Sequence, residues 1–245
     1  ITLLGQNVNS YGKDLDGKID FAELLRQVDK IDGIERVRYM TSHPKDMNFD
    51  AIDAIAECKK VVNHMHLPIQ CGNDELLRRM NRGYTVEHYM ELVDYARKRI
   101  PDLVLTTDII VGFPGETEGM YLDTLEFLKR CQYDMAYTFM FSPRTGTPAA
   151  RMDGQIDQAE KSRRLQGLMD VQNVYSLEKN KAMENKVYDV IVEGPTKNDA
   201  HNWFGRTTGN KMIIWENDGT TAIGDTVPVV VDKGQTWVLK GHLQK

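Results

Sequence analysis

The sequence predicts an α/β fold, an incomplete parallel (β/α) barrel with a trailing helix over residues 1–180, followed by a small antiparallel, OB-like β-barrel over 181–245. Three observations carry this reading. Short strand-like runs alternate with amphipathic runs over the first part of the chain, the pattern of βα units built on a parallel sheet. Each of those strand-like runs ends in polar or glycine-rich sequence. The tail then changes to short β-branched and aromatic runs separated by turn residues.

In chain order the expected barrel strands are residues 1–4, 36–41, 64–69, 103–111 and 135–141. Between them, 21–31, 50–59, 85–99 and 117–130 carry apolar residues at helical spacing. In the third of these, Tyr89, Leu92, Val93, Ala96 and Ile100 share a face, Thr85 suits the N-cap and Pro101 stops the helix. A longer helix is expected over 156–185, with a sparse packed stripe at Leu165, Leu168, Met169, Gln172 and Tyr175. The tail strands are expected at 187–193, 203–208, 211–216, 225–232 and 237–241, parted by Gly194-Pro195, Asn217-Asp218-Gly219 and Lys233-Gly234. Short strands at this spacing suit a small closed barrel.

Composition narrows the function classes. With a net charge of -5, nothing global attracts nucleic acid, so any RNA contact must come from a local patch. Cys58, Cys71 and Cys131 are widely spaced and form no CxxC pair, which argues against a disulfide framework and for a reducing, cytoplasmic setting. No apolar run approaches the ~20 residues that cross a bilayer, so no membrane partner is expected. The chain opens without Met on the apolar Ile1-Thr2-Leu3-Leu4, and is expected to be a piece of a longer protein whose first strand here forms an exposed edge.

The richest stretch is residues 106–117, where a β-branched and apolar run encloses Asp108 and then breaks on Gly112-Phe113-Pro114-Gly115 before a helix. A buried carboxylate is costly unless partnered, and glycines at a strand end let backbone approach a ligand closely. The other strand ends are Gly5-Gln6-Asn7, Ser42-His43-Pro44, Gln70-Cys71-Gly72-Asn73 and Ser142-Pro143-Arg144. Parallel strands aim all such ends at one face, where barrel proteins bind ligands.

Other constellations are weaker. His64 and His66 lie on one side of a strand as a metal pair would, but with no third ligand nearby they read as structural. Cys71 reads as a packed thiol, and Ser42-His43 is no hydrolase dyad because adjacent strand side chains diverge. Asp14, Asp16 and Gly17 lack the closing Glu of a calcium loop. Arg78, Arg79 and Arg82 are either solvated or contact a carboxylate or phosphate. In the tail, residues 205–211 join Arg206, Asn210 and Lys211 with hydroxyls near Trp203, Phe204 and Trp215, a mixture suited to phosphate contact and base stacking.

Taken in order, Gly5-Gln6-Asn7-Val8-Asn9-Ser10-Tyr11-Gly12, Thr41-Ser42-His43-Pro44, His66-Leu67-Pro68-Ile69-Gln70, residues 108–117 and residues 141–149 resemble the strand-end motifs of radical S-adenosylmethionine (SAM) methylthiotransferases. The tail resembles their RNA-binding TRAM domain. Gln6-Asn7-Val8-Asn9-Ser10-Tyr11 is similar to the tRNA-modifying, MiaB-type branch. The resemblance implies methylthiolation of an isopentenylated adenosine beside the tRNA anticodon, with one iron–sulfur cluster cleaving SAM and a second associated with sulfur delivery. It implies SAM contacts from Gln6, Asn7, Ser42, Gln70, Asp108, Gly112, Phe113 and Gly115, and tRNA contacts from Arg206, Asn210 and Lys211. It also implies two [4Fe-4S] clusters in the full-length protein. Their cysteine loops are absent here, so no cluster, no metal ligand and no activity are expected of this chain alone. Alternatives are another methylthiotransferase branch, acting on threonylcarbamoyladenosine tRNA or a ribosomal protein, a non-catalytic RNA-binding protein, or a cluster-free barrel enzyme. The last of these would need a lysine, histidine or carboxylate pair inside the barrel.

Overall fold

The computed structural model describes residues 1–15 and 19–244. Asp16 and Gly17 of the discarded calcium-loop reading lie outside them. The five expected barrel strands are β1 (Thr2–Leu3), β2 (Arg38–Tyr39), β3 (His64–His66), β4 (Val104–Val111) and β5 (Met135–Met140). β1 pairs with β2, and β3, β4 and β5 pair in sequence order, all parallel. A single bridge between Val37 and Val61 joins the two groups, so the strands follow one another around an open arc.

Helices α1 (Phe21–Asp29), α2 (Phe49–Glu57), α3 (Asp74–Arg79), α4 (Val86–Arg99), α5 (Glu118–Cys131) and α6 (Gln158–Lys181) follow the strands. Each begins on an Asp, Asn or Thr whose side chain accepts from the amide three residues on, Thr85 among them. These caps satisfy a donor that the first helical turn leaves orphaned.

Register decides which side chains face inward. In β4 the buried Leu105, Thr107, Ile109 and Val111 pack outward under the helices, while Thr106, Asp108 and Ile110 face the lumen. Parallel pairing puts His66 beside Thr106, Tyr137 beside Asp108 and Phe139 beside Ile110 on that same inner face. Tyr137 and Phe139 are exposed, so the lumen is open. Asp108 was expected to be enclosed by its strand; its side chain is instead 31% exposed because its face of β4 borders this space.

The tail forms a closed barrel of β6 (Val187–Pro195), β7 (Asn202–Arg206), β8 (Met212–Glu216), β9 (Thr226–Gly234) and β10 (Leu239–Leu243), in the order β10-β8-β7-β6-β9. Its pairings are antiparallel except that β10 runs parallel to β8. Trp215, Val190 and Val231 anchor a core separate from that of the first unit.

The packed stripe of α6 differs from expectation. Of the expected positions only Leu168 and Gln172 are buried, and the stripe runs through Lys161, Arg164, Leu168, Gln172, Ser176 and Asn180. Polar members survive there because each is bonded. Gln172 donates to Tyr133 O at 2.9 Å, Ser176 to Asp134 O at 2.8 Å and Asn180 to Gln235 O at 2.7 Å.

Candidate functional site

The loops at the C-terminal strand ends fold onto one another. The Asn9 amide accepts from His43 N at 2.9 Å and donates to His43 O at 3.0 Å, tying the first loop to the second. Asn7 Nδ2 donates to Asp46 Oδ2 at 2.5 Å, and Lys13 also pairs with Asp46. Burial opposes ionisation of Asp46, but these two donors hold it below the usual carboxylate range. The amino group of Asn7 is therefore engaged within the loops, while Gln6 is exposed at their edge.

Behind these loops lie polar atoms that are buried and unbonded. Ser42 Oγ, Gln70 Oε1, Asn7 Oδ1 and Arg82 Nε have no hydrogen-bond partner among the described residues. Gln70 holds a positive φ of 76°, and its backbone donates to Asp108 O and accepts from Ile110 N, both at 2.9 Å. Those bonds carry the sheet beyond the end of β3 and fix Gln70 against β4. Of the three arginines noted in sequence, Arg79 pairs with Glu75 and donates to Gly115 O, and Arg78 is exposed. Arg82 turns toward the strand ends: burial first, then the Arg82 charge, pushes the His43 imidazole below its ordinary value.

Within the lumen, His64 Nε2 and His66 Nδ1 converge on Thr106 Oγ1 at 2.9 and 3.0 Å. His66 Nε2 lies 3.6 Å from Asp108 Oδ1, and its ring meets Tyr137 edge-on at 5.9 Å. Arg38, Asp108, Tyr137 and both histidines line a cavity of about 310 Å³. Both imidazoles are committed to Thr106. Among the described residues no group of three or more His, Cys, Asp or Glu side chains is arranged to hold a metal.

The turn after β4 is built tightly. Gly112 has φ 77°, and a Cβ there would collide with the stem of Lys161. Phe113 is buried, its ring 5.2 Å from Phe141 in an edge arrangement, and Gly115 N donates to Gly154 O at 2.9 Å. Sequence reading passed over Glu116, whose side chain is 0% exposed and accepts the Gly112 amide at 2.6 Å. The signal available was its place four residues after that glycine.

Arg206, Asn210 and Lys211 sit where the two units meet. Lys211 Nζ is 2.9 Å from Asp134 Oδ1 and 2.6 Å from Asn180 Oδ1, and Arg206 Nε is 3.1 Å from Glu193. Arg36 donates to the carbonyls of Arg206 and Asp189, so its charge fastens the tail to the start of β2. The three residues line a cleft of about 230 Å³ whose rim includes Trp237, 54% exposed. This cleft opens at the N-terminal strand ends, and Asn210 also lines the lumenal cavity that holds Asp108.

Comparison with known proteins fits this geometry. A family description for the radical SAM superfamily matches residues 1–128, and one for the TRAM domain matches residues 181–243. The chain belongs to the radical SAM superfamily. It is 53% identical over 243 residues to the tRNA-2-methylthio-N(6)-dimethylallyladenosine synthase of Alkaliphilus oremlandii, covering 99% of this chain and 51% of that relative. Identity to proteins of the same name is 49% in Thermoanaerobacter pseudethanolicus and 50% in Moorella thermoacetica, again over 99% of this chain and 51% and 54% of theirs. The chain thus spans about half the length of the curated relatives it matches. Among solved structures, the radical SAM enzyme coproporphyrinogen III oxidase from Escherichia coli aligns at 14% identity with a TM-score of 0.50, over 71% of this chain and 46% of that one. That likeness concerns the fold alone.

Radical SAM proteins use SAM and an iron–sulfur cluster, and the residues present fit the two differently. Buried, unbonded Ser42 Oγ, Gln70 Oε1 and Arg82 Nε, together with the partly exposed Asp108 to whose carbonyl the Gln70 backbone donates, suit a polar zwitterion with a ribose. The cysteines do not suit a cluster. Cys58, Cys71 and Cys131 are separately buried, and burial pushes the Cys71 thiol up to about 12 and that of Cys131 up to about 11, away from the thiolate a cluster requires.

Proposed function

We propose that this chain is the SAM- and RNA-binding half of a tRNA methylthiotransferase that acts on an isopentenylated adenosine beside the anticodon, in the cytoplasm. The names and identities of the relatives support the reaction class. One structural observation carries the site: buried polar atoms without partners among the described residues recur at the strand ends, at Ser42 and Gln70, with Arg82 in the loop after α3, and the Gln70 backbone is bonded to Asp108 O.

In this reading Asp108 accepts from the two ribose hydroxyls of SAM, which a carboxylate can do at once. Gln70 Oε1 takes a hydrogen bond from the methionyl ammonium, and the Ser42 hydroxyl donates to a ribose oxygen. The Arg82 guanidinium pairs with the methionyl carboxylate. The backbone at Gly112 and Gly115 and the ring of Phe113 border the adenine, and Gln6 and Asn7 close the mouth. When bound and cleaved by one electron from an iron–sulfur cluster, SAM would supply the radical that removes hydrogen from the base, and these residues would hold its ribose, adenine and methionyl groups. Cys58, Cys71 and Cys131 do not suit a cluster, so one would have to be held by residues other than these. Trp237 offers a stacking face at the rim of the cleft lined by Arg206, Asn210 and Lys211, which is the surface assigned to the tRNA anticodon arm.

Calorimetric titration of the full-length protein with SAM tests the site. Asp108→Asn should weaken SAM at least tenfold while tRNA affinity is retained. Unchanged SAM affinity in that variant would remove Asp108 from the site.

A further inference from the structure

The turn that borders the adenine in the proposed site is held by α6, through side chains that meet its backbone and the end of β5. Arg164 NH1 donates both to Glu116 Oε2 at 2.8 Å and to Glu116 O at 2.9 Å. The same carboxylate oxygen accepts the Gly112 amide at 2.6 Å. Arg164 Nε donates to Glu160 Oε1 at 2.7 Å, and the guanidinium lies over the Tyr121 ring at 5.7 Å. Arg164 and Glu116 side chains are 6% and 0% exposed, so this is an ion pair taken out of water.

One turn earlier on the helix, Lys161 is also buried. Its stem fills the space beside Gly112, and its Nζ donates to Phe141 O at 3.1 Å. Phe141 in turn packs on Phe113. The backbone of Gly112 is thus gripped on one side by Glu116, itself fixed by Arg164, and on the other by the Lys161 stem.

A buried ion pair is a poor way to gain stability, because desolvation offsets the attraction. Burial pulls the Glu116 carboxyl above its ordinary value even against Arg164 and the Gly112 amide. What such a pair supplies is direction, since a planar guanidinium can hold a side-chain carboxylate and a main-chain carbonyl of one residue together. Both of those bonds leave one terminal nitrogen while Nε holds Glu160, so one plane aims three bonds; an ammonium on a flexible stem could reach two of these acceptors but without that fixed plane.

We propose that Arg164 and Lys161 are positioning residues that set the Gly112–Gly115 turn for the adenosine end of SAM, acting through Glu116 and Phe141. The inference rests on the site proposed above. Neither residue touches the ligand; they fix where the Gly112 and Gly115 backbone stands before it arrives.

The experiment combines amide hydrogen exchange over residues 112–116 with calorimetric titration of S-adenosylhomocysteine, using the full-length protein and its Arg164→Lys and Lys161→Met variants. Lys161→Met keeps an unbranched stem and removes the ammonium, with its bond to Phe141 O and its contact with the Phe141 ring, so it preserves the fold should Arg164→Lys fail to. The expected result is exchange at least tenfold faster in the turn, unchanged exchange in β4 and α4, and nucleoside affinity lowered about tenfold by Arg164→Lys and about threefold by Lys161→Met. A purely structural role would instead raise exchange throughout the unit and leave affinity unchanged in the folded fraction. Variants that bind as tightly as the parent would overturn the inference alone. A parent protein that does not bind S-adenosylhomocysteine would overturn the proposed site, and the inference with it.

Discussion

Lys211 Nζ lies 2.9 Å from Asp134 Oδ1, joining the small barrel to the residue that precedes β5. The two side chains are 11% and 9% exposed, and the other Asp134 oxygen accepts from Leu105 N at 3.0 Å. Removing one partner of a buried pair leaves an uncompensated charge, at a cost of about 3–5 kcal/mol for full burial. Lys211→Met should therefore lower the denaturation midpoint by an amount toward the low end of that range. Urea titration followed by Trp fluorescence checks this. Asp134→Asn together with Lys211→Met should recover part of the loss.

Ser42 presents a different balance. Its hydroxyl is buried without a partner among the described residues, and such a group costs about 1–3 kcal/mol. Ser42→Ala is expected to hold or raise thermal stability and to weaken SAM binding several-fold. Calorimetry of both properties on one preparation measures the exchange of stability for affinity. A variant less stable than its parent would show that Ser42 is a structural residue.

Gly72 follows the Gln70-Cys71 end and donates its amide to Thr124 Oγ1 at 3.0 Å. A Cβ there would stand 2.6 Å from Phe127 Cβ and 2.8 Å from Thr124 Cα, with no flexible side-chain end to give way. Gly72→Ala should destabilise the fold by about 1–3 kcal/mol, the usual range for overpacking. Thermal unfolding provides the readout.

The His64 ring gives acid sensitivity of known sign. Burial first, and then the neighbouring His66 and Arg38, pushes its pKa down from 6.5 to about 3. Below pH 6.5 the unfolded chain takes up a proton that the folded chain refuses, so the contribution present above 6.5 is lost as pH falls toward 3. The slope reaches at most ~1.4 kcal/mol per pH unit for one proton. His64→Gln should flatten the stability profile between pH 6 and 4 by up to that amount, measured by denaturant midpoints across the range.

Strands and helices were legible because their periodicity is carried by apolar residues, and Thr85, Pro101 and the tail turns marked the boundaries. Asp108 was found from its run of β-branched neighbours, yet the same run suggested enclosure. Pairing with β5 is what turns that face of β4 toward open space, and no local pattern encodes it. The stripe of α6 escaped because Lys161, Arg164, Ser176 and Asn180 look like solvent-facing residues until their partners are known: Phe141 and Asp134 flanking β5, Glu116 beside the Gly112 turn, and Gln235 in the tail. Lys211 and Arg206 likewise showed their charge in the sequence but not the carboxylates, Asp134 and Glu193, that face them.

Helix α6 is anchored at both ends by directional polar bonds, Arg164 to Glu116 near its start and Asn180 to Lys211 and Gln235 near its finish. Its 24 residues make it about 36 Å long, and each residue turns the chain by about 100°. One residue added or lost between the anchors would swing Asn180 to another side of the helix, away from both its partners. Four would bring it nearly back, displaced by about 6 Å along the axis. The two units are therefore indexed to each other through the helix, and an insertion of about one turn between the anchors is the one that disturbs their register least.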